Sequence, residues 1–190
     1  MHLLYINLIT LLWVAFFVYW QIMAARAKAT ARLEPASSRV LRVVLFGLAI
    51  VLFCWHTIPV SWLRIQLWPQ SYALYNVGIA MTAAGIAFAV WARVHLAGNW
   101  SRSVTVKENH ELITSGPYRL VRHPIYTGLL FGLAGAVVAE GQVRSLIALA
   151  LIAWVLWRKL SLEEAWMREQ FGDTYAEYSR RTAALVPGIL

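Results

Sequence analysis

Long apolar runs alternate with short polar segments through the first half of the chain. The runs extend from Leu3 to Ala24, from Val40 to Val60 and from Tyr72 to Val94. Each is close to the roughly 20 residues that a helix needs to cross the hydrocarbon core of a bilayer. Since a segment inside the bilayer must satisfy its own backbone hydrogen bonds, these runs predict three membrane-spanning helices.

A fourth apolar region, from Pro124 to Lys159, is divided by the polar triplet 140–142. Each half holds about 15 residues and would be only about 23 Å long as a helix. We expect a tight hairpin of two short helices, the fourth and fifth spans of an all-α membrane protein, in a thinned or cavity-lined part of the bilayer. Small residues on the first arm would allow close helix packing. They are Gly128, Gly132 and Gly135.

Beyond the hairpin, the sequence predicts two short helices. Ser161 followed by Glu164 fits a capping box, so we expect a helix to begin at Ser161 and to run to about residue 171. Gly172 and the aspartate after it should end that helix, and residues 175–181 should form a last short one.

Composition agrees with a membrane location. Hydrophobic residues make up 60% of the 190-residue chain, whereas about 45–50% is usual for soluble domains. Nothing marks a second domain, so we expect one membrane domain, residues 1–190, with three spans in 1–94 and the polar apparatus in 95–190.

Cys54 is the only cysteine, which excludes an intrachain disulfide. The first run is longer than the apolar part of a signal peptide and lacks its positive leading segment, so we expect it to remain a span.

The positive charges are distributed unevenly. Of the seventeen Lys and Arg residues, only Arg64 and Arg144 lie outside the segments 26–42, 93–122 and 158–181. The positive-inside rule therefore predicts that these segments and the C-terminus are cytoplasmic and that the N-terminus is outside. The net charge of +8 is then explained by orientation and by attraction to membrane lipids, and we expect no nucleic-acid partner.

Residues 116–128 are too polar to serve only as a membrane anchor. They contain two arginines, a histidine and two tyrosines between apolar runs. A residue before proline avoids helical geometry, and proline suits the first position of a helix, so Pro124 should open a helix with His123 at its mouth. The first N–H groups of that helix would form an anion site.

Six short motifs occur in a fixed order from residue 98 to residue 178. They are Gly98-Asn99-Trp100-Ser101, His110-Glu111-Leu112-Ile113, Ser115-Gly116-Pro117-Tyr118, Arg122-His123-Pro124-x-Tyr126-x-Gly128, Glu163-Glu164 and Phe171-Gly172-Asp173-x-Tyr175-x-x-Tyr178. Together they resemble the isoprenylcysteine carboxyl methyltransferase and phospholipid methyltransferase superfamily, over roughly the C-terminal half of the chain. The five-span layout is similar to that of small prokaryotic members, which implies a multi-pass protein of a prokaryotic inner membrane.

The resemblance implies an S-adenosylmethionine-dependent methyltransferase whose lipophilic acceptor comes from the bilayer. It places the cofactor pocket on His110, Glu111, Leu112, Ile113, Tyr118, His123, Pro124, Ile125, Tyr126 and Glu163, with Glu164 beside them. Glu163 could hold the cofactor's ammonium group, and His123 with the helix N-terminus its carboxylate. Tyr118 or Tyr126 could face the adenine ring or the sulfonium, and the backbone of 111–113 could bind the adenine edge.

The resemblance also points to the groups that orient the acceptor. Carboxyl methyltransferases of this superfamily have an arginine four residues before the cofactor-binding glutamate. Here that position is Lys159, with Arg158 beside it, and these two are the candidate catalytic residues. Lysine offers a point charge where arginine offers a planar fork. We expect the carboxylate of an isoprenylcysteine-like acceptor, and an aminophospholipid amine is the alternative.

Other interpretations remain open on the sequence alone. A membrane sterol or lipid reductase that uses NADPH has a distantly similar arginine-histidine-proline ending, and a non-catalytic membrane protein is a further alternative. Arg119 and Arg122 could be ordinary cytoplasmic anchors. We expect His56 and His95 to be interfacial groups, and we expect no metal site because no two histidines have the spacing of metal ligands.

Overall fold

The computed structural model describes residues 2–25, 36–55, 57–96 and 112–188, with the side chains of 2–7 and 25 excepted. Helices form nearly all of the regular structure in these ranges. They are α1 (His2–Ala25), α2 (Ala36–Cys54), α3 (Tyr72–Leu96), α4 (Pro124–Glu140) and α5 (Val143–Arg181). Single 3₁₀ turns occur at Ser61–Arg64 and Gly116–Arg119.

Helices α2, α3 and α5 are long and apolar enough to cross a membrane. The part of α1 with described side chains and the 17 residues of α4 are also apolar but shorter. The predicted all-α membrane architecture is therefore confirmed, while the number of five spans stays a prediction. Helix α2 ends at Cys54, short of the predicted boundary at residue 60. Pro59 lies in the non-helical remainder, and a proline disfavours helical geometry in the residue before it.

The predicted hairpin is present, but its second arm is not short. Gly141 turns the chain between α4 and α5 with a φ of 63°. Helix α5 then continues for 39 residues, through the position at which a new surface helix was expected. The capping box is wrong, because the Ser161 hydroxyl donates to the Trp157 carbonyl inside the helix. Between 158 and 171 the sequence has no glycine or proline, so nothing there stops the helix.

Gly172 changes the direction of α5. Its φ of 50° and ψ of −125° are not helical, and glycine adopts them without the steric cost that a side chain would add. The helix resumes afterwards and ends at Arg181, near the predicted end of the last short helix. The position of this bend was therefore predicted correctly.

Helices α3 and α4 pack with their backbones almost in contact. A Cβ atom on Gly85 would lie 2.4 Å from the Gly132 amide nitrogen and 2.5 Å from the Gly128 carbonyl oxygen. The Thr82 hydroxyl donates to the Gly132 carbonyl at 3.0 Å across the same contact. The predicted role of the α4 glycines is confirmed, and Gly85 is among the residues that accommodate them on α3.

Arg144, which lies outside the three positively charged segments, has a structural role at the start of α5. It is 1% exposed and ion-pairs with Glu140 at 3.0 Å. It also donates to the Leu52 and Phe53 carbonyls at the end of α2. Arg144 thereby joins the end of α2 to the turn between α4 and α5.

Replacing Gly85 by alanine should lower the stability of the protein by about 1–3 kcal/mol, because an added methyl group forces α3 and α4 apart. The matched control is Gly47→Ala on α2, where no atom lies within 4 Å of the new Cβ. That substitution should be neutral or stabilising by up to about 1 kcal/mol, because alanine is the better helix former. Thermal unfolding of both variants in one detergent makes the comparison. Equal unfolding temperatures would contradict the close packing.

Candidate active site

The C-terminal segment holds the polar stretch before α4 in place. Val121 pairs with Ala183 in a short parallel β-bridge. The backbone N–H groups of Arg122 and His123 donate to the Ala183 and Ala184 carbonyls at 2.8 and 3.0 Å. As a result, the backbone before α4 is fixed by hydrogen bonds to the last described part of the chain.

Side chains strengthen this attachment. The Tyr178 hydroxyl donates to the Tyr118 carbonyl at 2.6 Å, and the Thr127 hydroxyl donates to the Leu185 carbonyl at 2.7 Å. Burial raises the pKa of Tyr178 to about 12, so its hydroxyl keeps its proton and remains a donor at neutral pH.

Helix α4 begins as the sequence predicts. Pro124 is buried at its first position, and His123 precedes it with a φ of −122° and a ψ of 61°. The histidine ring stacks on Tyr126 with ring centroids 5.4 Å apart and planes 3° apart. This stacking directs both side chains toward the adjacent glutamates of α5.

Glu164 is the centre of a buried charge network. Its carboxylate accepts from Arg122 Nε at 2.8 Å and from Arg168 Nη2 at 3.1 Å, and it lies 3.3 Å from His123 Nε2. Burial alone would raise the pKa of Glu164. Hydrogen bonds from His123 and Arg122 and the charge of Arg122 outweigh that effect and lower the pKa from its ordinary value of 4.5 to about 2. Glu164 is therefore ionised throughout the physiological range.

Arg122 is part of the folded framework rather than a simple cytoplasmic anchor. Besides Glu164, its guanidinium donates to the Ser179 carbonyl at 2.9 Å and to the Thr182 carbonyl. Arg119, the other candidate anchor, is exposed. From the sequence alone, each arginine could have been either a site residue or a cytoplasmic anchor. The structure assigns Arg122 to the site network and leaves Arg119 exposed.

Glu163 has a different environment from its neighbour. The Tyr126 hydroxyl lies 2.7 and 2.8 Å from the two carboxylate oxygens. Lys159 Nζ lies 3.6 Å from one of these oxygens and His123 Nδ1 lies 3.6 Å from the other. The Glu163 side chain is 23% exposed, against 8% for Glu164. Glu163 consequently presents an ordered and accessible carboxylate.

This carboxylate faces a cavity of about 950 Å³, near the upper end of the range of about 300–1,000 Å³ that is usual for ligand pockets. Apolar side chains of α1, α2, α4 and α5 form most of its wall. Polar side chains line it beside Glu163 and, separately, around the ion pair of Glu140 and Arg144. Most of the predicted site residues line it. They are Leu112, Ile113, Tyr118, His123, Pro124, Ile125, Tyr126, Lys159 and Glu163.

Other predicted site residues are placed differently. Glu164 is not among the lining residues of this cavity. The Arg158 guanidinium lies over the Trp154 ring, 5.3 Å from its centroid, and lines only a small pocket between α2 and α5. His110 and Glu111 lie outside the described residues, and so does His56. His95 Nε2 is 2.9 Å from the Ser115 hydroxyl, as expected of a satisfied interfacial group.

The sequence prediction missed some lining residues. Arg42 reaches the polar end of the cavity from α2, and Tyr175 and Tyr178 reach it from the end of α5. The tyrosines belong to the last of the six motifs, which could have indicated them. For Arg42 the only sequence signal was its positive charge near the end of a span, which the positive-inside rule already explains.

Replacing Glu164 by glutamine should lower the free energy of unfolding at pH 7 by about 1.5–3 kcal/mol, the usual contribution of a hydrogen bond to a charged group. A carboxyl with a lowered pKa stabilises the fold above its ordinary pKa, and this contribution is lost as the pH falls toward the lowered value. The wild-type protein should therefore lose stability between about pH 4.5 and pH 2, and the variant should lose less there.

Chemical unfolding across that pH range tests this expectation. Glu177→Gln is the control, because Glu177 forms an exposed ion pair with Arg181 and such pairs contribute only about 0–1 kcal/mol. If Glu164→Gln and Glu177→Gln cost the same stability and have the same pH dependence, the network does not stabilise the fold.

Comparisons with known proteins agree with the resemblance found in the motifs. The sequence profile described as phospholipid methyltransferase matches residues 73–174, more than half of the chain. A probable protein-S-isoprenylcysteine O-methyltransferase of Oryza sativa subsp. indica is 33% identical over 127 residues, 65% of this chain and 64% of that protein. The cobalt-zinc-cadmium resistance protein CzcN of Cupriavidus metallidurans is 31% identical over 147 residues, 76% of this chain and 60% of that protein.

The fold also resembles a solved structure. The eukaryotic intramembrane Ras methyltransferase, an isoprenylcysteine carboxyl methyltransferase, superposes with a TM-score of 0.56 at 20% identity. The match covers 83% of this chain and 55% of that one. This chain thus spans about three fifths of the lengths of these relatives. Because the family profile matches more than half of its residues, the chain belongs to the phospholipid methyltransferase family.

Proposed function

We propose that this protein is a membrane methyltransferase that uses S-adenosylmethionine to methylate the carboxylate of an isoprenylcysteine-like acceptor. One observation carries the proposal: the ordered Glu163 carboxylate faces a large cavity whose lining is mostly apolar. Family membership and the O-methyltransferase names of several relatives support it.

The residues at the polar end fit the cofactor. Glu163 is accessible, and Tyr126 and Lys159 hold it in one orientation, so it can receive an ammonium group. The N–H groups of the first turn of α4 can receive the cofactor's carboxylate. His123 is a second contact there, although it already lies within 3.6 Å of both glutamates. Leu112 and Ile113 line the cavity and offer their backbone to the adenine edge.

The reaction asks little acid–base chemistry of the protein. When bound, S-adenosylmethionine supplies a methyl group on a sulfonium, and an ionised carboxylate attacks without a general base. The protein must therefore place the acceptor in line and exclude water, which is catalysis by positioning and electrostatics. Lys159 is the candidate for orienting the acceptor, because it lines the cavity and lies within 5.3 Å of the Tyr126 ring centroid.

The apolar wall suits an acceptor that stays in the membrane. Phe46 and Ile50 of α2, with Leu129 of α4 and Leu156 of α5, line the cavity, and such surface can bury an isoprenoid chain at about 25 cal/mol per Å². We place the N-terminus outside a prokaryotic inner membrane and the C-terminus in the cytoplasm. The cofactor would then enter from the cytosol and the acceptor from the bilayer.

An aminophospholipid acceptor is the second candidate, and the name of the family profile is its support. That reaction needs a deprotonated amine. The cations Lys159 and Arg42 line the polar end of the cavity, and they would repel the protonated form that amines adopt in water. This charge arrangement favours the carboxylate.

S-Adenosylhomocysteine, the demethylated product, should raise the unfolding temperature of the detergent-solubilised protein. Glu163→Ala should weaken binding by about 2–5 kcal/mol, because the ammonium group loses its counter-charge. His95→Ala is the control and should bind normally. Calorimetric titration measures both affinities, with NADPH as a second ligand. Unchanged affinity in a folded Glu163→Ala protein would remove Glu163 from the site, and stabilisation by NADPH alone would favour the reductase alternative.

Lys159→Met should lower kcat/KM for a prenylcysteine acceptor roughly ten- to a hundredfold, because an oriented charge on the acceptor is lost. Binding of S-adenosylhomocysteine should change much less than kcat/KM, because Tyr126 still holds the Glu163 carboxylate. Arg158→Met should have little effect, since Arg158 lies over Trp154 outside the main cavity. Methyl transfer to N-acetyl-S-farnesylcysteine and to phosphatidylethanolamine provides the measurement. Activity on the amine alone that is indifferent to both substitutions would overturn the choice of a carboxylate acceptor.

A further inference from the structure

The main cavity extends along the helices from Glu163 to the second polar region. Tyr126 and Glu140 both line it, and they are separated on α4 by about four turns, or roughly 21 Å. Between these two levels, apolar lining residues recur every three or four positions, which keeps them on one face of each helix. They are Leu129, Leu133 and Ala136 on α4 and Leu156 and Ile152 on α5. The apolar part of the cavity is therefore an elongated site that suits a chain lying along α4 and α5.

Ala136 is the small member of this series. Larger side chains line the cavity one and two turns earlier, at Leu133 and Leu129. Ala136 is buried and lies about three turns, or roughly 15 Å, from Tyr126. An extended farnesyl chain has about this length. Ala136 therefore leaves room at the depth that the last isoprene unit of such a chain would reach.

The ion pair of Glu140 and Arg144 bounds the apolar lining of α4. Glu140 follows Ala136 by one turn, and its carboxylate lies 3.0 Å from the Arg144 guanidinium. That guanidinium also donates to the Gln142 side chain and to two carbonyls of α2. Hydrocarbon cannot replace the solvation of charged groups, so a chain that extends to this ion pair meets a free-energy cost. A longer chain thus gains little by passing Ala136.

We infer that Ala136 lies at the far end of the acceptor site and that the protein selects an isoprenoid chain of farnesyl length. A shorter chain leaves the space beside Ala136 unfilled, and a longer chain meets the ion pair of Glu140 and Arg144. This inference rests on the proposed function and deepens it, because it makes Ala136 a residue that determines which chain length is accepted.

Binding of three N-acetylcysteine thioethers tests the inference. The geranyl, farnesyl and geranylgeranyl compounds are titrated into the full-length protein saturated with S-adenosylhomocysteine, with free concentrations corrected for partition into the detergent micelles. The wild-type protein should bind the farnesyl compound roughly tenfold more tightly than the geranyl compound, because one more isoprene unit is buried. The geranylgeranyl compound should bind no more tightly than the farnesyl compound.

Ala136→Leu should remove most of the tenfold preference for farnesyl over geranyl, because the added side chain fills the end of the site. Ala136→Val should reduce the preference by less, and it carries the test if Ala136→Leu does not fold. Ala134→Leu is the matched control. Ala134 is on the same helix but does not line the cavity, so this variant should keep the wild-type preference. All three variants should bind S-adenosylhomocysteine with wild-type affinity.

Two results would overturn the chain-length site while leaving the proposed function intact. One is the same farnesyl preference in the Ala136 variants as in Ala134→Leu. The other is a further large gain in affinity from farnesyl to geranylgeranyl in the wild-type protein. If S-adenosylhomocysteine binds but none of the three thioethers does, the isoprenylcysteine acceptor itself is wrong and the chain-length site with it.

Discussion

The buried ion pair between Arg122 and Glu164 is the interaction on which the site depends. It joins three parts of the chain that are far apart in sequence: the stretch before α4, the polar half of α5 and the C-terminal segment. Removing charges from water is costly, and the pair is tolerable because further donors and acceptors surround both partners. Arg122 reaches two backbone carbonyls, and Glu164 also contacts His123 and Arg168. The pair thereby holds His123 and the start of α4 against α5.

The neighbouring glutamates consequently have separate roles. Consecutive residues on a helix point about 100° apart, since one turn takes 3.6 residues. When Glu164 is turned inward to Arg122, Glu163 must point toward Tyr126 and the cavity. The ion pair of Glu164 with Arg122 thus sets the direction in which the Glu163 carboxylate points. We regard Glu164 as a positioning residue and Glu163 as the proposed ligand-binding residue.

The packing of α3 against α4 sets the position of the other side of the cavity. Because glycines face each other there, α4 lies close to α3 and directs Ile125, Tyr126 and Leu129 toward the cavity. Tyr126 connects the two arrangements, since it stacks on His123 and donates to Glu163. The polar end is therefore held by hydrogen bonds and ion pairs and the apolar part by helix packing.

The sequence by itself determined the all-α membrane class, the start of α4 at Pro124, the turn after Glu140 and the bend at Gly172. Each of these depends on local properties: apolar length, the restricted backbone of proline and the permissive backbone of glycine. It also indicated most of the residues at the polar end, through motifs that lie close together in the chain. The length of α5 was not predicted. The Ser161–Glu164 pattern can cap the start of a helix, but it can equally lie inside one when no glycine or proline ends the helix before it.

Only the tertiary structure decided which of two adjacent charged residues faces the cavity. Glu163 and Glu164, or Arg158 and Lys159, are chemically alike, and their directions depend on how α5 is rotated against Arg122, Tyr126 and Trp154. The position of Arg42, a residue of α2 that lines the cavity, also depends on how the helices pack. Rotation and approach of helices result from packing between distant segments, and no local pattern in the chain encodes them.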